Sequence, residues 1–267
     1  MNRIKSLICL FIIFFVTHAQ ATETNIELKR LQEGYPEMIQ NVSPNYISWR
    51  DGTQTPIRGR FAFLEGFANL FRSAANKRES VSIKDLHCDS YEPFFKKMYG
   101  RSPADVKKNL VTIYWMPKVF GTRYPLKVTT VNGVDKKIRR ISAALEKLPR
   151  YYFQYLVNPG GSFYWRNVAS EKYLSSHSFG IAIDINSHRG NYWLWDWKKA
   201  NRPARALTLH NNIPKRIVEI FEKEGFLWGG RWYFYDTMHF EYRPELFSKG
   251  GNSDLHYNND LGLRCSS

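Results

Sequence analysis

The chain has little cysteine and no apolar run long enough to cross a membrane. Three cysteines in 267 residues exclude a small scaffold that is held together by several disulfides. The longest apolar run, residues 7–16, has ten members, whereas a membrane-spanning helix needs roughly 20. Internal repeats and low-complexity tracts are also missing from the sequence. These absences indicate a globular protein with one large domain, or one domain with an extension.

The first 21 residues are typical of a signal peptide. Arg3 and Lys5 form a short basic head, residues 7–16 are apolar, and Ala19-Gln20-Ala21 is a small-x-small cleavage site. We therefore expect an exported chain, periplasmic or secreted, without stable membrane insertion. An uncleaved membrane anchor is the alternative that the sequence leaves open.

Removal of a signal peptide would leave two cysteines, Cys88 and Cys265. An even pair in an oxidising compartment predicts a possible disulfide, which would join the C-terminal tail to the N-terminal third of the chain. Two unrelated thiols are the alternative, because spacing alone does not bring the two side chains together.

Acidic residues are scarce, with 24 of them against 39 lysines and arginines and a formal net charge of +15. An exported basic protein favours anionic surroundings such as cell-wall polymer, phospholipid headgroups or nucleic acid. The densest basic cluster, residues 136–140, lies in an apparent amphipathic helix, which favours a solvated helix face over a nucleic-acid patch. No nucleic-acid-binding motif is recognisable, so we expect no nucleic-acid partner.

Local patterns along the chain predict an α+β fold. Capping, proline and periodicity patterns predict helices over residues 61–77, 102–109, 136–148 and 214–224. Runs of β-branched and aromatic residues predict strands over residues 110–117, 126–134, 180–186 and 232–242. Residues 151–167 are typical of two strands around the turn Asn158-Pro159-Gly160-Gly161. Helices separated from clustered strands predict a mainly antiparallel sheet with helices packed on one side.

The segment GIAIDIN, residues 180–186, alternates between two faces. Its three isoleucines share one face, as in a strand that packs on a core, and Asp184 lies on the other face. His177 precedes the strand, and Gly180 lets the backbone turn between them. The segment alone is compatible with half of a metal site and also with an ordinary solvated carboxylate.

A second stretch, YFYDTMHFEY, contains His239 with Asp236 three residues before it. A zinc peptidase requires three protein ligands, an open coordination position for water and a carboxylate that accepts a proton. His177, Asp184 and His239 can supply the ligands, and Asp236 the base. On a regular strand Asp236 and His239 would point to opposite faces, so we predict an irregular backbone at Thr237-Met238.

Arg166 and Trp232 are candidates for substrate contacts. The Arg166 guanidinium can bind a substrate carboxylate or a developing oxyanion through paired hydrogen bonds. A surface arginine at a strand end is the alternative for Arg166. The tryptophans of the C-terminal half can form a sugar-stacking wall or fill the core, and Trp232 is the one that we place nearest the site.

Together these motifs resemble a known family. The segment RNVASEKYLSSHSFGIAIDIN, followed by WGGRWYFYDTMHFE, is similar to the D-alanyl-D-alanine carboxypeptidase (VanY-like) family of zinc metallopeptidases. That fold group includes the endolysin L-alanyl-D-glutamate endopeptidases and the Hedgehog signalling domain. The family pattern is S-x-H-x(6)-D, then an acidic residue, two residues and a histidine. The resemblance covers roughly residues 105–245.

The resemblance implies a role for each matching position. Its zinc ligands match His177, Asp184 and His239, its catalytic base matches Asp236, its substrate-contacting arginine matches Arg166, and a serine that shapes the site matches Ser175. Many carboxypeptidases of the group have glutamate as base. The aspartate here leaves the choice between carboxypeptidase and endopeptidase open.

The resemblance also implies the function and the organisation of the chain. The implied function is Zn²⁺-dependent hydrolysis of peptide bonds in peptidoglycan stem peptides, as D,D-carboxypeptidase or endopeptidase. The implied segments are a signal peptide over 1–21, an N-terminal extension over 22–104, a zinc peptidase domain over 105–250 and a C-terminal tail over 251–267. The alternative is a non-catalytic peptidoglycan-binding protein with a structural zinc, although structural zinc normally has a fourth protein ligand. The oligomeric state does not follow from the sequence.

Overall fold

The computed structural model describes residues 29–43, 45–56, 91–168, 173–199, 210–232 and 235–247. Within these ranges the chain forms antiparallel sheets and short helices, which confirms the α+β class. The signal peptide, Cys88, Cys265, the C-terminal tail and the helix predicted over 61–77 lie outside the described residues. Among the helices in these ranges, none combines the length and the apolar character that crossing a membrane requires.

The N-terminal part forms a small sheet that packs on a helix. Its three antiparallel strands are β1 (Ile39–Val42), β2 (Tyr46–Trp49) and β3 (Gln54–Pro56). Helix α1 (Tyr91–Tyr99) follows. The Trp49 ring packs 5.6 Å from the ring of Phe94 on α1, and Lys97 of the same helix forms a 2.5 Å ion pair with Asp51. An aromatic contact and an ion pair therefore join this sheet to α1.

The middle of the chain follows the predicted order of helices and strands, with one additional short helix over Pro117–Phe120 that was not predicted. The elements are α2 (Pro103–Lys108), β4 (Leu110–Tyr114), α3 (Pro117–Phe120), β5 (Pro125–Thr129) and α4 (Val134–Leu145). Ser102 caps α2 by accepting a hydrogen bond from the Asp105 backbone. Helix α4 buries Ile138, while Arg140 is exposed and binds Glu224. Lys136, Arg139 and Arg140 are exposed and Lys137 is half-buried, so the basic cluster lies mostly on the exposed face of α4, and its lack of a nucleic-acid role stays a prediction.

The main sheet has the order β6-β7-β9-β8 and is antiparallel throughout. Its strands are β6 (Pro159–Gly161), β7 (Ala182–Asn186), β8 (Phe226–Trp228) and β9 (His239–Tyr242), with helices α5 (Trp193–Lys199) and α6 (Lys215–Glu222) before β8. Ile183 lies opposite Phe240, and Phe240 stacks at 3.9 Å on Phe221 of α6. One face of β7 and β9 therefore packs on α6, and the other face is left for polar side chains.

The prediction of two strands over residues 151–167 is wrong. Residues Arg150–Tyr155 form a 3-10 helix, and the Pro159-Gly160-Gly161 segment is itself the strand β6. In β6, Gly161 pairs with Asp184, and a Cβ on Gly160 would come 3.0 Å from the Asp184 Cβ. Gly160 thus allows a close approach between the strands, and the segment does not form the predicted turn. The extended segment predicted over 232–242 is likewise limited to β9 at its C-terminal end.

Candidate metal centre and active site

Three side chains from separate elements converge on one buried point. His177 lies in the 3-10 turn Ser176–Phe179, Asp184 in β7 and His239 in β9. Asp184 Oδ1 lies 3.2 Å from His177 Nε2 and 2.9 Å from His239 Nδ1, and the two ring nitrogens are 3.2 Å apart. Both histidines are buried. The structure thus brings the three predicted ligands together as a group that can hold a metal ion.

Strand register and one turn produce this convergence. In the β7–β9 ladder Asp184 lies directly opposite His239, so their side chains project from the same face of the sheet. Before β7, Gly180 adopts a φ of +68° and ends the 3-10 turn that contains His177. Ser175 begins that turn, and its hydroxyl accepts a hydrogen bond from the His177 backbone. The predicted turn at Gly180 is confirmed, and Ser175 fixes the backbone of a ligand.

In each histidine, the outward nitrogen, which is the ring nitrogen that faces away from the other two ligands, also has a hydrogen-bond partner. His177 Nδ1 lies 2.5 Å from the Ser162 carbonyl oxygen, and His239 Nε2 lies 3.2 Å from Glu241 Oε2 and 3.3 Å from Ser176 Oγ. A carbonyl or carboxylate oxygen only accepts, so both outward nitrogens carry the hydrogen. With these hydrogens held on the outward side, the inward nitrogens would present their lone pairs to a bound metal ion, which is the arrangement of histidines that bind a metal.

The electrostatics of the group favour a positive charge at its centre. Burial lowers the pKa of His239, but hydrogen bonds to Asp184 and Glu241 outweigh it and raise that pKa to about 10. Burial opposes the charge of Asp184 too, yet His177 and His239 hold the pKa of Asp184 far below its usual range. Burial likewise works against the charge of Glu241, but His239 and Arg243 lower its pKa to about 2. A bound cation would supply the positive charge that these carboxylates face.

The donor atoms suit a zinc ion. Histidine nitrogens and a carboxylate oxygen form a typical three-ligand zinc set with a fourth position left open. Ligands about 2.1 Å from a tetrahedral ion are about 3.4 Å apart from one another. The donors here are separated by 2.9 to 3.2 Å, so a small outward movement of the side chains accommodates the ion.

The backbone around Asp236 is irregular, as predicted. Asp236 pairs with Tyr192 in an isolated bridge, Thr237 and Met238 form a turn, and β9 begins only at His239. This turn removes the strict alternation that would point Asp236 and His239 to opposite faces. The turn also packs tightly, because a Cβ on Gly229 would come 2.5 Å from the Asp236 carbonyl oxygen.

The Asp236 carboxyl group lies in the electrostatic field of the three ligands. Its Oδ1 atom is buried and has no hydrogen-bond partner among the described residues. Burial raises the pKa of Asp236 to about 6, with a contribution from Asp184 that the two histidines oppose. A carboxylate with a pKa near neutrality and a free oxygen can accept a proton beside the metal position.

Each of the two candidate substrate contacts is joined to an element that carries a ligand. The Trp232 ring is 5.3 Å from the His239 ring, which confirms its position next to the ligands. The Arg166 backbone nitrogen donates to Ser178 Oγ at 2.9 Å, which ties it to the turn of His177. The Arg166 side chain is exposed, and its Nη1 donates to the Asn167 carbonyl oxygen. Contact of either residue with substrate stays a prediction.

Sequence reasoning missed the partners behind the ligands, namely Ser162, Ser176 and Glu241. Ser162 acts through its backbone carbonyl, so its residue type gives no indication of the contact. Glu241 was detectable, because it follows His239 by two residues and thus shares its face of β9. In a strand, an acidic residue two positions after a ligand histidine therefore predicts a carboxylate that binds the outward nitrogen of that histidine.

A comparison with family models finds one for D-alanyl-D-alanine carboxypeptidase that matches residues 168–242. No curated protein and no solved structure matches the chain significantly. The matched segment contains the ligand candidates His177, Asp184 and His239 and the base candidate Asp236, while Arg166 lies just before it. The match supports a peptidase, and it confirms over residues 168–242 the resemblance to the D-alanyl-D-alanine carboxypeptidase family that the two motifs predicted.

Proposed function

We propose that the chain is a zinc-dependent peptidase that hydrolyses peptide bonds in peptidoglycan stem peptides, as carboxypeptidase or endopeptidase. The observation that carries this proposal is the convergence of His177, Asp184 and His239 beside the buried carboxyl group of Asp236. The match to the carboxypeptidase family model over the same residues supports the substrate class. His177, Asp184 and His239 would hold a zinc ion, and the ion would supply a lower pKa for a bound water and polarisation of a peptide carbonyl.

Side chains of the protein transfer the proton and position the substrate. Burial raises the pKa of Asp236 to about 6, which suits a carboxylate that accepts a proton from the attacking water near neutral pH. Asp236 then passes the proton to the leaving amine. The exposed guanidinium of Arg166 binds a carboxylate of the stem peptide through paired hydrogen bonds. Trp232, whose ring lies 5.3 Å from that of His239, limits the position of the substrate beside this ligand.

Mass spectrometry of muropeptides after digestion tests the activity and identifies the bond at once. Released D-alanine would indicate the carboxypeptidase reaction, and split stem peptides the endopeptidase reaction. We expect EDTA to abolish both. Sedimentation with peptidoglycan without any cleavage by the wild-type protein would contradict the proposal and favour a wall-binding protein.

The variant Asp236→Asn tests the proton transfer. We expect the turnover number to fall by roughly 10²- to 10⁴-fold, because the amide cannot accept the proton, while zinc stays bound. The same change at Asp51, an exposed residue that pairs with Lys97, is the matched control and should leave turnover unchanged. Full turnover by Asp236→Asn would exclude this residue as the base.

We also propose that the mature chain acts outside the cytoplasm. The basic head and the apolar run of residues 7–16 support this location, and so does a cell-wall substrate. N-terminal sequencing of the exported protein should give a start at Thr22, and a chain that retains Met1 in the cytoplasm would contradict it.

A further inference from the structure

A row of buried charged side chains continues from His239 away from the metal position. Glu241, Arg243 and Glu245 follow His239 at intervals of two residues, and all four are no more than 7% exposed. The spacing of two residues puts His239 and Glu241 on the same face of β9. Arg243 follows the end of β9, and Glu245 lies in the 3-10 turn Pro244–Leu246. Charged residues are seldom buried unless they are paired, so their contacts are informative.

Each of the four carboxylate oxygens in this row has its own partner. Glu241 Oε2 accepts from His239 Nε2 at 3.2 Å, and Glu241 Oε1 accepts from Arg243 Nη1 at 2.9 Å. Glu245 Oε1 accepts from Arg243 Nε at 2.6 Å, and Glu245 Oε2 accepts from the Tyr35 hydroxyl at 2.6 Å. We call this series, from Tyr35 through Glu245, Arg243 and Glu241 to His239, the relay. Tyr35, the end of the relay farthest from the metal position, is 210 residues from Glu245 in sequence.

The N-terminal segment is fitted closely to the far end of the relay. Tyr35 is fully buried, and its ring lies edge-on to the rings of Tyr242 in β9 and Phe94 in α1. The neighbouring Gly34 approaches so closely that a Cβ on it would come 2.8 Å from the Glu245 backbone nitrogen. Two adjacent residues of the N-terminal segment therefore depend on the position of Glu245.

The contacts make each member of the relay dependent on the next. Arg243 is held between two carboxylates, and its guanidinium also lies 5.4 Å from the Phe95 ring. Without the Tyr35 hydroxyl, Glu245 loses the partner of one oxygen in a buried place, where an unpaired oxygen is unfavourable. A Glu245 that turned toward another donor would draw Arg243 with it and weaken the contact between Glu241 and the His239 ring.

We propose that Tyr35 is a positioning residue for the metal centre, acting on His239 through the relay. The N-terminal segment thereby completes the centre from outside the residues that match the family model. This inference rests on the metal site proposed above. It assigns to this segment a role in metal binding, where the motifs of the sequence assign it none.

The variant Tyr35→Phe tests the relay by measuring the dissociation constant for Zn²⁺ in competition with a chelator, without substrate. Loss of a direct partner of a ligand typically weakens metal binding 10- to 100-fold. For the more distant Tyr35 we expect a rise in the dissociation constant on the order of threefold to tenfold. The control is Tyr124→Phe, which removes a tyrosine hydroxyl that donates to Asn158 Oδ1 at 2.8 Å and contacts no member of the relay, and it should leave the constant unchanged.

A double-mutant cycle separates positioning from general loss of structure. In a Glu241→Gln background the relay is already altered next to His239, so Tyr35→Phe should have no further effect on the Zn²⁺ dissociation constant. An equal effect in both backgrounds, or none in the wild type, would overturn the inference. If Tyr35→Phe does not fold, Glu245→Gln interrupts the same contact with its volume unchanged and carries the same test. A wild-type protein that binds no Zn²⁺ would instead contradict the metal site itself.

Discussion

At the scale of single residues, the metal centre depends on backbone conformations that most residues cannot adopt. Gly180 has a φ of +68° and lies between His177 and the strand that contains Asp184. A Cβ at this position would come 2.7 Å from Leu110 Cδ2 and 3.1 Å from the Thr129 backbone nitrogen. Both the left-handed conformation and the lack of space therefore require glycine at position 180. A larger residue there would shift the position of His177 relative to Asp184.

The variant Gly180→Ala should destabilise the protein by more than the conformational penalty alone. A left-handed backbone costs a residue with a Cβ about 1–2 kcal/mol, and the contacts with Leu110 and Thr129 add to this. Gly133→Ala is the matched control, because Gly133 has the same left-handed conformation, with φ +64° and ψ +26°, but nothing within 4 Å of its Cβ position. Urea unfolding measures both free energies. Equal losses in the two variants would show that the close contacts contribute nothing.

At the scale of secondary-structure elements, a buried ion pair holds the turn before Trp232 against helix α6. Glu222, at the end of α6, is 5% exposed. Its two oxygens accept from Arg231 Nε at 2.5 Å and from Arg231 Nη2 at 2.7 Å. Because Arg231 ends the 3-10 turn Gly229–Arg231, the pair orients the backbone that leads to Trp232.

The variant Arg231→Met should lower the free energy of unfolding by about 2–4 kcal/mol, because removing one partner leaves a buried charge at Glu222 unpaired. We expect the affinity for substrate to fall as well, since Trp232 loses its support. The control Arg216→Met removes an exposed arginine that pairs with Glu219 on the same helix, and its effect should stay within about 0.5 kcal/mol. Chemical denaturation distinguishes the two, and a similarly small loss for Arg231→Met would contradict the assigned role.

The sequence predicted the elements of the centre because their patterns are local. Alternation identified β7 and its core face, and the geometric conflict between Asp236 and His239 correctly predicted the turn at Thr237-Met238. The role of Gly160 in β6 was misinterpreted, because a close approach to Asp184 and a turn both favour glycine. The contact between Tyr35 and Glu245 was not predictable, since it joins residues 210 positions apart and no local periodicity reports on such a pair.

At the scale of the whole molecule, one hydrophobic core joins the N-terminal segment to the part that contains the metal centre. Buried residues from β1 and β2, such as Ile39 and Trp49, belong to the same cluster as Ile183 of β7 and Phe240 of β9. The sequence boundary placed between residues 104 and 105 falls inside α2. We therefore expect a change at the metal centre to affect the unfolding of all these elements together.

Zinc binding should therefore stabilise the whole molecule. A ligand that binds only the folded state adds about 4 kcal/mol at a concentration of 1,000 times its dissociation constant. Addition of EDTA should lower the melting temperature in a single transition, and added Zn²⁺ should restore it. The variant Asp184→Asn loses the charged ligand opposite His239. For this variant, the difference in melting temperature between the Zn²⁺-loaded and the EDTA-treated protein should largely disappear. Asp51→Asn should keep the full difference, because Asp51 lies in the N-terminal sheet and pairs with Lys97. A melting temperature that EDTA leaves unchanged in the zinc-loaded wild type would mean that the ion is not bound by the folded centre.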